Sequence, residues 1–278
     1  MKNFVDTQWL QDHLEDENII VVDCRSDLLD ISYGEKVYND GHIKNAVFAD
    51  LKKIMASPEK EHGGRTPLPT IEEFKERIEK LGINNDTLVV AYDELKISSA
   101  ARFCWMLRCI GHSNNYVLDG GIDKWIKEER KLYTKKEENK DECINNNKDF
   151  KVSVNEEMRV DVNYVKEHMG KDIFLIDSRS NIRYRGLEEP IDKVAGHIPG
   201  AENYCWKDML NEDGTVGEDK VKEIFSKLKD HNIVAYCGSG VDATFNYLLL
   251  DELGIKAKVY SGSWSDWITY KDNPIEHE

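Results

Sequence analysis

Short apolar runs alternate along the chain with longer stretches whose apolar residues fall three and four positions apart. Ile19 to Arg25, Thr87 to Tyr92, Tyr116 to Leu118 and Ile233 to Tyr236 predict buried strands, because each is short, β-branched or aromatic, and flanked by polar residues. Between them, helical spacing appears in Trp9, Leu10 and Leu14, with Thr7 as the expected cap. It appears again in Phe74, Ile78 and Leu81 after Thr70, whose pairing with Glu73 predicts a capping box. Further helices are expected through Ala101 to Leu107, after Gly120-Gly121 up to Trp125, and from Asp242 through Phe245 to Leu253. Strands alternating with helices predict an α/β fold with a mainly parallel sheet flanked by helices.

The pattern then runs twice. Val22-Asp23-Cys24-Arg25-Ser26 returns as Ile176-Asp177-Ser178-Arg179-Ser180, and Gly41-His42-Ile43 as Gly196-His197-Ile198. Val89-Val90-Ala91-Tyr92-Asp93 returns as Ile233-Val234-Ala235-Tyr236-Cys237, and Leu118-Asp119-Gly120-Gly121 with Trp125 as Tyr260-Ser261-Gly262-Ser263 with Trp267. Four matches in one order indicate a tandem duplication. The expected domains are 1–130 and 150–278, joined by a Lys-, Glu- and Asn-rich linker over 131–149. At the position of Cys237 the first copy has Asp93, so only the second copy can carry thiol chemistry there. His42 and His197 repeat in both copies, which favours a structural turn role for them over catalysis.

Composition narrows the classes. A chain of 278 residues with 40% hydrophobic residues can bury a sizeable core. Its net charge of −15 argues against a nucleic-acid or anionic-membrane surface. It also means that an anionic small substrate must be drawn in by local arginines. The first residues show no apolar signal core, and no apolar run approaches the length of a membrane span. Six cysteines are scattered without metal-ligand or disulfide-framework spacing, which predicts a reducing cytoplasm.

The candidate chemistry lies at Cys237-Gly238-Ser239-Gly240-Val241-Asp242, between a predicted strand and a predicted helix. Ligands sit at the carboxyl ends of strands in parallel sheets, and a glycine loop before a helix turns N–H groups inward. A Cys at that focus is expected to have a lowered pKa and nucleophilic character. The competing reading is a small buried hydrophobe. Ala243 stands where a cysteine-dependent phosphatase needs Arg, and no second Cys lies three residues away, so neither a phosphatase nor a dithiol redox site is expected.

Taken together, these motifs, with Gly196-His197-Ile198-Pro199-Gly200-Ala201 and Gly262-Ser263-Trp264-Ser265-Asp266-Trp267, resemble tandem-domain sulfurtransferases of the rhodanese superfamily. The loop Cys-Gly-Ser-Gly-Val is similar to the type that uses 3-mercaptopyruvate; the thiosulfate-preferring type has basic residues after the Cys. The resemblance implies a persulfide on Cys237, release of pyruvate, and transfer of sulfur to cyanide, a small thiol or a protein thiol such as thioredoxin. It implies no cofactor and no metal. It places the active site on the second domain, facing the cleft between the two. Gly238, Gly240, Val241 and Asp242 would line the donor site, Arg183 and Arg185 would bind its carboxylate, and Ser239 with Asp50 would relay a proton. Open alternatives are an ion pair for either arginine, a turn role for Ser239 and a loop-capping role for Asp50. A thiosulfate:cyanide sulfurtransferase and a low-turnover sulfur carrier are the rival functions.

Three departures from the family pattern stand out. Asp242 replaces a usual Thr; a helix cap is expected of it, although a carboxylate facing Cys237 would raise the thiol pKa. A further family arginine has no counterpart within Glu188 to Lys193, where Lys193 offers a point charge. Thr66 stands where relatives often have His, with His62 nearby.

Overall fold

In a computed structural model, residues 1–96, 98–134 and 149–277 are described. The chain divides into two compact units. The first comprises Met1–Ser57, Pro69–Asn155 and Glu212–Thr215; the second comprises Pro58–Leu68, Glu156–Asn211 and Val216–Glu278. This division is not the single cut expected near residue 150. A short segment of the first sequence half belongs to the second unit, and the first unit extends to Asn155. Most of the expected linker, 135–148, lies outside the described residues.

The first unit holds a five-stranded sheet of β1 (Phe4–Val5), β2 (Ile19–Asp23), β3 (Val47–Phe48), β4 (Leu88–Tyr92) and β5 (Asn115–Leu118). Its strand order is β1-β5-β4-β2-β3, and every pair is parallel. The second unit repeats it with β6 (Arg159–Val160), β7 (Phe174–Asp177), β8 (Glu202–Asn203), β9 (Ile233–Tyr236) and β10 (Ala257–Tyr260), in the order β6-β10-β9-β7-β8. Element by element the two topologies are the same, as a duplication requires. Parallel strands are covered on both faces, which is why the central ones are apolar throughout; β9 is fully buried.

The repeated residues are the ties of each unit. Arg25 Nε binds both carboxylate oxygens of Asp23 at 3.0 Å, and its Nη2 donates to the Gly41 carbonyl. Arg179 binds Asp177 in the same way and donates to the Gly196 carbonyl at 2.8 Å. The Tyr92 and Tyr236 hydroxyls accept the N–H of Ile43 and Ile198, at 3.2 and 3.1 Å. His42 and His197 hold the carbonyls of Tyr38 and Tyr184 and stack on those rings. Both copies thus use the histidine to fix a turn. Trp125, Trp264 and Trp267 anchor the cores, and Trp105 is fully buried.

Local signals were met in part. Thr70 and Glu73 form the reciprocal capping box that opens the helix Ile71–Lys80. The first helix, Thr7–His13, is capped not by Thr7 but by Asp6, whose carboxylate accepts the Trp9 N–H at 2.6 Å. Asp6 has the extended backbone of a cap, with φ −82° and ψ 169°, whereas Thr7 is already in the helix. The polar excursion before Gly41 contains a helix, Tyr33–Asp40.

Candidate active site

β9 delivers Cys237 to its carboxyl end, and the helix Ala243–Glu252 begins behind the loop. Gly240 adopts φ +74°, and a Cβ there would meet the Ser261 carbonyl oxygen at 2.1 Å, so only glycine fits this turn. The turn brings the Gly240 N–H to within 3.2 Å of the Cys237 sulfur. The N–H groups of Ala243 and Ser239 act in the same sense, pulling the thiol pKa down. Behind the loop, the Ser263 hydroxyl accepts the Cys237 N–H at 3.0 Å, and the Trp264 and Ser265 N–H groups donate to the carbonyls of Cys237 and Gly238. The Gly-Ser-Trp-Ser-Asp-Trp segment therefore holds the loop in shape. Ser263 escaped sequence reasoning as a positioning residue, although its place in a repeated motif was a signal.

The thiol pKa runs against expectation. Cys237 is 1% exposed, and burial raises its pKa; the Asp242 carboxylate raises it further, while the N–H groups of Ala243 and Ser239 pull it down without prevailing. Asp242 also makes no capping hydrogen bond to its helix, contrary to the cap expected of it. Its backbone is already in the helical region, with φ −66° and ψ −25°, rather than the extended form that aims a cap inward.

The segment Pro58–Leu68 lies against this loop within the second unit. The Thr66 hydroxyl donates to the Ser239 carbonyl, the Gly63 N–H to Asp266 at 2.7 Å, and the Arg65 N–H to the Ser265 hydroxyl at 3.2 Å. Thr66 thus uses its hydroxyl to tie the loop. His62 bonds Thr269 and stacks on Tyr270. Gly238 faces two guanidiniums: a Cβ there would lie 2.7 Å from Arg65 Nη2 and 3.3 Å from Arg183 Nη2.

Arg183, on the helix Asn181–Tyr184, therefore lies beside the thiol loop. It chelates Glu189 through Nε (3.0 Å) and Nη2 (2.7 Å) and reaches Asp192 at 3.1 Å. Arg185 is exposed, and so is Lys193. Val241 is buried behind the loop. Asp50 belongs to the first unit, where its Oδ1 accepts the N–H groups of Lys52 and Lys53 at 2.8 and 2.7 Å. Arg65 was missed, because a residue far from Cys237 in sequence carries no periodic mark of its destination. Among the described residues no group of His, Cys, Asp and Glu is arranged to hold a metal ion.

The first copy shows what this architecture does without a thiol. The Asp93 carboxylate accepts the N–H groups of Leu95 at 3.0 Å and Ala100 at 2.9 Å, closing its own loop where Cys237 stands in the second unit.

The family model for the rhodanese-like domain matches residues 6–128 and again 161–270. A Pseudomonas aeruginosa protein named a probable 3-mercaptopyruvate sulfurtransferase is 36% identical over 277 residues, covering 96% of this chain and 95% of its own. A Mycobacterium tuberculosis protein, whose name proposes a thiosulfate sulfurtransferase, is 32% identical and covers 89% of this chain and 87% of its own. The solved structure of 3-mercaptopyruvate sulfurtransferase from Leishmania major superposes with a TM-score of 0.83 at 25% identity. That match covers 95% of this chain and 74% of the other.

Proposed function

We propose, from the premise that this chain belongs to the rhodanese family through both of its domains, that it moves sulfur from 3-mercaptopyruvate through a persulfide on Cys237. The observation that carries this reading is the loop itself: the Gly240 N–H donates to the Cys237 sulfur, and the N–H groups of Ser239 and Ala243 favour its charged form. An outer sulfur carrying negative charge is stabilised by such donors without a side-chain cation in the loop.

The Cys237 thiolate attacks the sulfur of the donor. The carbon–sulfur bond breaks and its electron pair passes to carbon, forming the enolate of pyruvate, which takes up the former thiol proton. The cysteine sulfur is thereby oxidised to a persulfide and the donor carbon reduced. An acceptor then attacks the outer sulfur and restores the thiolate; cyanide, a small thiol and a protein thiol such as thioredoxin are the proposed acceptor classes. Ser239 stands two residues from the sulfur and is proposed to hand over the proton through its hydroxyl. The hydrogen bonds of Asp50 within its own unit support a loop-anchoring role for it. Arg183 is proposed to bind the donor carboxylate, supported by its place beside Gly238. A reducing compartment such as the cytoplasm is proposed, supported by five described cysteines that form no disulfide.

Two guanidiniums near the loop also suit a thiosulfate dianion, which is the second reading. Intact-mass measurement after brief incubation with each donor separates the two. A one-sulfur gain with 3-mercaptopyruvate that Cys237→Ser abolishes is expected. Strong loading by thiosulfate alone would give the second reading precedence, and loading of the Cys237→Ser protein would remove the mechanism.

A further inference from the structure

Asp192 is held in an unusual way. One of its oxygens pairs with Arg65 Nη1 and the other with Arg183 Nη2 at 3.1 Å. Among the described residues, its carboxylate hydrogen-bonds these two guanidiniums alone. Both guanidiniums border Gly238, the residue after the nucleophile. The neighbouring Glu189 has a different place. It accepts the N–H groups of Ile191 and Asp192, chelates Arg183, and reaches Arg179 Nη1 at 3.3 Å. Glu189 is therefore built into its own turn as the standing counter-ion of Arg183. Asp192 instead bridges two arginines that come from distant parts of the chain. One oxygen to each cation is the arrangement of a carboxylate ligand held by two arginines.

We propose that Arg65 and Arg183 together form the seat for the donor's carboxylate, and that the Asp192 carboxylate occupies this seat until a donor displaces it. Arg65 then supplies the second positive charge that the stretch Glu188 to Lys193 does not provide. This deepens the 3-mercaptopyruvate reading and rests on it for the identity of the donor.

The exchange is chemically even: one carboxylate leaves the two guanidiniums and another takes its place. Asp192 lies in an irregular segment outside any helix or strand, so its withdrawal breaks no ladder of backbone bonds. Burial pushes the Asp192 carboxyl up despite both arginines, so the native arrangement does not favour its charge fully. An internal occupant lowers the apparent affinity for any external carboxylate in proportion to the fraction of molecules whose seat stands open. The seat thus filters donors: one without a group able to replace a carboxylate faces a filled site.

Pyruvate carries the same carboxylate without the sulfur and is the probe of choice. In titration calorimetry on the full chain, Asp192→Asn is expected to bind pyruvate about tenfold more tightly than the native protein, by relief of self-competition. Arg65→Gln is expected to bind about tenfold more weakly, for loss of a charged hydrogen bond. In turnover, both effects should appear in KM while kcat holds. Unchanged or weaker binding by Asp192→Asn, or unchanged binding by Arg65→Gln, overturns the proposal. A crystal of the native protein with pyruvate gives a test that needs no variant: Asp192 should have left both guanidiniums, and a bound pyruvate with Asp192 still bridging them refutes the exchange. Absence of pyruvate binding to both the native protein and Asp192→Asn does so too. Failure of 3-mercaptopyruvate to load Cys237 would instead strike the donor reading, since pyruvate titration involves no sulfur transfer.

Discussion

At Cys237 burial and a nearby carboxylate oppose the pull of three loop N–H groups, and the thiol ends above its ordinary pKa. The thiolate is the attacking form, so sulfur loading should accelerate as pH rises through and beyond neutrality until the thiol is fully ionised. Asp242→Asn removes the like charge and shifts that profile to lower pH. Alkylation of Cys237 by iodoacetamide, followed by mass at several pH values, should show faster labelling of this variant near neutrality; an unchanged profile would leave Asp242 without influence. Arg183→Ala should raise KM for 3-mercaptopyruvate about ten- to a hundredfold, the equivalent of roughly 1.5–3 kcal/mol for a charge-assisted hydrogen bond. Steady-state kinetics with kcat reported separately checks it, and an unchanged KM would exclude Arg183 from the seat. The candidate nucleophile was legible in the sequence because glycines around a lone Cys leave a local mark. The direction of its pKa was not, since that depends on how deeply the folded chain buries the sulfur and where Asp242 comes to lie.

Among the elements, the same ion pair joins the end of β2 to the Gly41 turn and the end of β7 to the Gly196 turn. Its acid is fully buried in both copies, so removing the base leaves an uncompensated charge. Arg25→Leu is expected to cost about 3–5 kcal/mol of stability. Urea unfolding followed by circular dichroism measures it, and a loss below about 1 kcal/mol, the range of a surface pair, would show that the pair is not a tie. This geometry also explains why the fold was so readable. Asp23, Arg25, Gly41, His42 and Tyr92 recur as a set because each bonds another member of the set or the turn that the set encloses. Helix ends were read less well. At Asp6 and Thr7 two adjacent residues can both cap, and backbone geometry chose between them. At Asp242 the backbone precludes the cap that its side chain invites.

For the whole molecule, the decisive fact is that Pro58–Leu68 belongs to the second unit. It brings Thr66 to the Ser239 carbonyl, Gly63 to Asp266 and Arg65 to Asp192. A truncated protein spanning only 150–278 should therefore melt at lower temperature than the full chain and need far more 3-mercaptopyruvate to load Cys237, even though it contains the nucleophile. Thermal melting and intact mass across a donor series test this, and full-chain behaviour from the fragment would refute it. Sequence periodicity could not reveal this sharing: a polar loop with two glycines reads the same whichever core it joins.

That loop also bears on how the chain came to its present form. A duplicated gene whose second copy relies on a stretch encoded in the first cannot shed the first copy, even though Asp93 stands there in place of a thiol. Selection on a handful of loop residues is then enough to preserve an entire domain that lacks the cysteine, and the tandem arrangement persists as an inheritance that the second half cannot renounce.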